Sequence, residues 1–261
     1  SAGPEPAAPA VVRLAGGRVL DPATGTDQIG DVAIAAGQIA RCDDPAVSAA
    51  PTLDVRGCLV APAFMDLHVH LREPGMEEAE TIESGLRAAA AGGFGAVVSM
   101  PNTSPPVDSP ALVRRLIETA RCVGLTALWP AACLTRGRAG ETVADIEALA
   151  AAGAVAFTDD GSTVMRDDVM EAAMRRIAEV GSVVMDHAQD RAHERLGVAS
   201  EGAARRFGLP AIPAVAEVRI VERDLRLART ARCRLHLQHL SAAGAVEALR
   251  RAQAEGLAVS A

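Results

Sequence analysis

His68 and His70 stand two residues apart in the run from Leu59 to Gly75, LVAPAFMDLHVHLREPG, where apolar residues give way to two imidazoles and an arginine, Arg72. In an extended strand alternate side chains share a face, so both histidines point the same way with Val69 between them. Two imidazoles on one face suit a shared metal ion, because neutral imidazole is a common zinc ligand and a rigid strand loses little freedom on binding. A buried, hydrogen-bonded HxH is the competing reading, and the motif alone does not choose. More residues of the same chemistry follow: Asn102, the pair Asp159 and Asp160, His187 and His239.

The elements that must position them come in a regular beat. The apolar runs FMDLHVH, GFGAVVSMP, TALWPAAC, AVAFTDD, SVVMDHA, RLHLQHLS and LAVSA recur, with amphipathic helical stretches between them. This is the signature of βα units around a parallel sheet, which close most naturally into a (β/α)8 barrel with its active site at the C-terminal ends of the strands. On that fold His68 and His70 end the first strand and Asn102 follows the second. Asp159 and Asp160 end the fourth strand, His187 the fifth and His239 the sixth. Independent structural histidines have no reason to gather at strand ends, so the barrel favours the metal reading. Neighbouring aspartates cannot both point inward, so one of the pair is expected at the metal and the other on backbone or a supporting bond. His236, three residues before His239, is expected to pack under the helices, and His193 to lie on the surface.

Helix signals punctuate the repeat. Ser109 and Pro110 read as N-cap and first helical residue of a helix closed by Gly124, and Asp167 reads as the cap of the next long helix, ending at Gly181. Before the repeat, residues 11–60 hold short strand-like runs broken by turns such as Asp21-Pro22-Ala23-Thr24-Gly25, and predict part of a small β domain. The predicted organisation is a tail over residues 1–10, the β domain over 11–60, and barrel strands one to about seven over 61–261.

Composition narrows the function. The 261 residues suffice for one barrel, and a net charge of -7 argues against a nucleic-acid or anionic-membrane partner. No run is apolar enough to span a bilayer, and SAGPEPAAPA lacks the basic start and apolar centre of a signal peptide. Five cysteines without a CxxC pair point to reduced thiols and a cytoplasmic location. All 26 basic residues are arginine.

The runs PAFMDLHVHLREPG, GGFGAVVSMPNTSPP, AFTDDGS, VVMDHAQD and LHLQHLS, in this order and spacing, resemble bacterial dihydroorotases of the class I type, within the amidohydrolase superfamily. The resemblance runs from about Val11 to the end of the chain. It implies a zinc-dependent cyclic amidase of pyrimidine biosynthesis that interconverts N-carbamoyl-L-aspartate and dihydroorotate. It further implies His68 and His70 as ligands of a first zinc, Asp160 as a bridging carboxylate, and His187 and His239 as ligands of a second. His70, Arg72 and Asn102 match substrate-binding positions. Arginine suits a carboxylate, since its planar fork gives two parallel charge-assisted hydrogen bonds, whereas Asn102 after Met100-Pro101 also suits a turn cap. Glu73 stands where the family often has aspartate. Hydantoinases and allantoinases, the related alternatives, bridge their metals with a carboxylated lysine, which this sequence cannot supply. The resemblance also places a general acid and base, an aspartate from an eighth strand, beyond Ala261, so the barrel is expected to be incomplete. A non-catalytic relative that scaffolds aspartate carbamoyltransferase, or a homodimer, is the alternative assembly.

Overall fold

The computed structural model describes residues 11–194 and 197–261; the predicted tail lies outside them. The chain divides after Ala63 into two compact units.

The first unit is a five-stranded sheet. Strands Val12–Asp21 and Thr26–Ala35 form an antiparallel hairpin whose register runs from Asp21 opposite Thr26 to Val12 opposite Ile34. Its turn is made by side-chain chemistry: the Asp21 carboxylate accepts the Ala23 N–H at 3.0 Å and the Thr24 hydroxyl at 2.7 Å. Gly25 then takes a φ of 72°, which a residue with a Cβ rarely adopts. The register slips between Leu14 and Gly17, and Asp31 fills the irregularity by accepting the Gly16 N–H and the Arg13 guanidinium.

The second unit carries seven parallel strands, which we number β1 Phe64–Val69, β2 Phe94–Ser99, β3 Ala127–Ala132, β4 Ala156–Phe157, β5 Val183–Asp186, β6 Arg234–Leu237 and β7 Val259–Ser260. They pair in chain order from β1 to β7. The connecting helices are α1 Ile82–Ala91, α2 Pro110–Val123, α3 Ile146–Ala151, α4 Asp167–Glu179, α5 Val215–Ala231 and α6 Ala243–Ala254. Strand alternation sorts the core into two layers. Val97, Leu128, Phe157, Val184 and Leu235 face the helices, where Leu86, Leu116, Leu149, Ile177 and Leu227 meet them. Val98, Met100, Ala131, Ala156 and Met185 face the other way, into the barrel.

Caps stop and start the helices. Ser109 caps α2 through its bond from the Leu112 N–H, Pro110 occupies the first turn, and Gly124 ends it at a φ of 67°. Thr81 and Ser84 form a reciprocal capping box on α1, and Glu73 accepts the Ile82 N–H at 2.9 Å. Two expectations need correcting. Asp167 lies inside the first turn of α4, with Arg166 at the N-cap and no side-chain cap bond, so its carboxylate meets the positive end of the helix instead. His236 sits opposite Met185 and therefore faces the barrel interior, not the helices. The parity count failed because β6 ends at Leu237 and His239 leaves strand geometry with a φ of 35°.

The sheet is strongly curled. In a flat sheet β1 and β6, five strand spacings apart, would be separated by about 24 Å. Yet the rings of His68 and His239, at the ends of these strands, are 5.4 Å apart. The unit is an incomplete (β/α) barrel, with its strand ends drawn onto one rim.

Candidate metal centre

Four imidazoles meet on that rim. Ring centroids of His68 and His70 lie 5.0 Å apart, His68 and His239 5.4 Å, and His187 and His239 4.7 Å. Asp160 comes in from the end of β4, with Oδ1 3.4 Å from His68 Nε2 and Oδ2 3.6 Å from His70 Nε2. Among the described residues His68, His70 and Asp160 bring one ligand atom each within 4.8 Å of one another, a group that can hold a metal ion.

Hydrogen bonds fix which ring nitrogens are free. A carboxylate only accepts, so the 3.1 Å contact of Asp160 Oδ2 is made by the Asn102 amide Nδ2. That turns Asn102 Oδ1 toward His70 Nδ1, 3.0 Å away, and requires His70 to donate from Nδ1. In the neutral ring this leaves the lone pair on Nε2, which lies 3.1 Å from His68 Nε2. Burial is the largest influence on His68 and lowers its pKa, with the neighbouring imidazoles acting in the same direction and the Asp160 charge opposing them. The ring nitrogens of His68 and His70 and the carboxylate of Asp160 converge as a donor set for a divalent cation. Asp160 Oδ1 also fits a cation, being buried without a hydrogen-bond partner among the described residues.

The remaining candidates fall in different places. Asn102 is a bridge between His70 and Asp160, and not simply a turn cap. Arg72 is half-buried just past β1 at a φ of 58°, and its guanidinium has no hydrogen bond or ion pair with a described residue. Asp159 turns away from the imidazoles and accepts the N–H and the hydroxyl of Thr135. His193 is surface-directed and bonds Asp190 at 2.9 Å.

Several supporting residues escape a motif reading. Thr163 donates its hydroxyl to Asp186, the residue before His187, at 2.8 and 3.0 Å to the two carboxylate oxygens. Arg223 on α5 reaches the Val164 carbonyl at 2.6 Å and pairs with the fully buried Asp224. The readable signal was on α5: Ala216, Ile220, Asp224, Leu227 and Ala231 follow helical spacing, and the stripe of buried residues contains one carboxyl. Nothing in the sequence marks Thr135 or Thr163.

A family model described as "Dihydro-orotase-like" matches residues 57–244. The chain belongs to the dihydro-orotase-like family. Curated relatives of this family include a protein named "Dihydroorotase" from Syntrophotalea carbinolica, 42% identical over 252 residues that make up 96% of this chain and 59% of the relative. Another from Deinococcus radiodurans is 46% identical over 208 residues, 79% of this chain and 50% of the relative. The chain thus spans 50–59% of the length of these two relatives. Among solved structures, an L-hydantoinase (dihydropyrimidinase) from Arthrobacter aurescens superposes with a TM-score of 0.77 at 23% identity, covering 95% of this chain and 57% of that one. A dihydropyrimidinase from Brevibacillus agri gives 0.73 at 21%, covering 95% and 56%. These two establish the shared barrel fold.

Proposed function

We propose that the protein containing this chain is a zinc-dependent dihydroorotase that opens and closes the cyclic amide linking dihydroorotate to N-carbamoyl-L-aspartate. The carrying observation is the group of imidazoles around Asp160, inside a chain of the dihydro-orotase-like family. His68, His70 and Asp160 would hold one zinc, with Asp160 bridging to a second on His187 and His239. A cation held there polarises a carbonyl and activates water for attack on an unstrained amide. Asn102 keeps His70 and Asp160 in place, and its amide retains one N–H and one lone pair beyond the two bonds it makes. Arg72, whose guanidinium has no partner among the described residues, is available to grip the substrate carboxylate, and the spare Asn102 N–H is a second donor for it. The general acid and base lies outside this assignment. The five cysteines are free, and among the described residues no helix is long and apolar enough to cross a membrane; we place the protein in the cytoplasm. Self-association or a complex with aspartate carbamoyltransferase belongs to the same proposal and is tested by size exclusion with and without that enzyme.

The decisive experiment is hydrolysis of dihydroorotate by the protein extended to its natural stop codon. Arg72→Met should weaken transition-state binding by about 2–5 kcal/mol. Equal turnover of hydantoin or allantoin, which lack the carboxylate, would favour a general cyclic amidase. Asp160→Asn should lower zinc content at both positions together, since a bridging carboxylate lends its charge to each.

A further inference from the structure

We propose that Arg138 is a positioning residue for Asp160: its guanidinium holds the Asp160 main-chain carbonyl while Asn102 holds the carboxylate, so the aspartate is fixed at both ends. The inference rests on the metal reading above and goes beyond it. Arg138 lies on the loop after β3, and that loop is itself tied down. Thr135 donates its N–H and hydroxyl to Asp159, and its hydroxyl oxygen accepts the Gly140 N–H at 2.9 Å. Gly137 donates its N–H to Asp108 at 2.8 Å, and the Arg138 N–H returns to the Thr135 carbonyl at 3.0 Å. From this frame one Arg138 nitrogen donates to the carbonyl of Asp160 and, at 3.3 Å, to that of Asp159. The result is a closed brace: the Asp159 side chain orients Thr135, Thr135 shapes the loop, and the loop sends Arg138 back to the Asp159–Asp160 main chain.

Two observations separate this from an ordinary surface arginine. Arg138 makes no ion pair with a described residue, and its Nε is buried without a hydrogen-bond partner, so its polar contacts are the two carbonyls. A cation bonded to a carbonyl makes a stronger hydrogen bond than a neutral donor would, and among the described residues no carboxylate accepts a hydrogen bond from it. The turn after Asp160 is also built around it. Gly161 has a φ of 74°, and a Cβ there would lie 3.6 Å from the Arg138 nitrogen and 3.9 Å from Asn102 Nδ2, so both groups flank the same peptide. Metal ligation tolerates displacements of only about 0.2 Å, and partners that orient a ligand typically change metal affinity by about 10–100-fold when removed.

The test is a zinc-competition titration of the protein extended to its natural stop codon, as wild type, Arg138→Met and Arg138→Lys, together with thermal unfolding of the metal-free forms. Arg138→Met should bind zinc about tenfold or more weakly. Arg138→Lys, which keeps a charged donor, should lose less, and the metal-free melting temperatures should stay together. Wild-type zinc affinity in Arg138→Met overturns the inference. So does a fall in metal-free stability with the same zinc affinity, which would make the arginine a folding residue. Should Arg138→Met fail to fold, Arg138→Gln, which removes the charge and shortens the reach, carries the test, and wild-type affinity there overturns it. A wild-type protein that takes up no zinc overturns the metal reading itself, an outcome distinct from these.

Discussion

At the scale of single residues, the site depends on which atom of each side chain faces inward. Asn102 decides this for His70: with its N–H on Asp160, its carbonyl oxygen commits His70 to the tautomer that leaves Nε2 free. Asn102→Leu keeps the bulk and loses both bonds, and should weaken zinc binding about 10–100-fold in a chelator competition. Asn102→Asp is a sharper probe. It retains an acceptor for His70, loses the N–H on Asp160 and adds a carboxylate beside the cation site, so it should bind zinc more tightly than Asn102→Leu, with the largest difference at low ionic strength, where charge is least screened. Equal affinity of the two variants at every ionic strength would show that Asn102 acts through shape alone.

At the scale of elements, α5 secures the strand that ends in His187. Asp224 on its buried face meets Asp186 at the end of β5, with Arg223 alongside. Burial first, and then the Asp186 charge, hold the Asp224 carboxyl well above the usual carboxylate range, against the pull of Arg223. The folded chain therefore keeps a proton that the unfolded chain releases near pH 4. The stability this group contributes is fully present below that pH and is lost as pH rises through the elevated folded value. Asp224→Asn removes that dependence, so the variant should gain on the wild type as urea midpoints of the metal-free protein are compared from pH 5 to pH 8. Parallel midpoints across that range would place no extra proton on Asp224. A simpler prediction concerns α2: Ser109→Ala deletes its N-cap bond and should cost about 1 kcal/mol in the same assay.

At the scale of the whole molecule, the metal group joins parts of the chain far apart in sequence. His68 and Asp160 belong to β1 and β4, and ring contacts extend the group to β5 and β6. A ligand that binds only the folded state adds its binding free energy to folding, so zinc at 100 times its dissociation constant should stabilise the protein by about 2.7 kcal/mol. A chelator should remove this increment. His68→Ala with His187→Ala should unfold at the same temperature with or without zinc, and a zinc-dependent shift in that variant would place the metal elsewhere.

Much of this was legible in the sequence. The HxH pair, the carboxylate at the end of the fourth apolar run and the later histidines could be assigned to strand ends, because βα repetition is a local signal carried by period and caps. Ser109, Pro110 and Gly124 act where their chemistry predicts, since a cap needs only its own turn. The prediction for His236 failed where local periodicity stopped applying: the strand ended two residues before His239, and only the tertiary course of the chain shows that. Asp159 and Asp160 could be told to face apart, but their partners Thr135, Arg138 and Asn102 come from other βα units, and a hydrogen bond between distant segments leaves no spacing to read. The curl that brings β6 back to β1 is likewise a property of the packed sheet. The sequence by itself determined which residues can do the chemistry and on which elements they ride; the closed geometry of the rim decided which nitrogens, oxygens and charges meet.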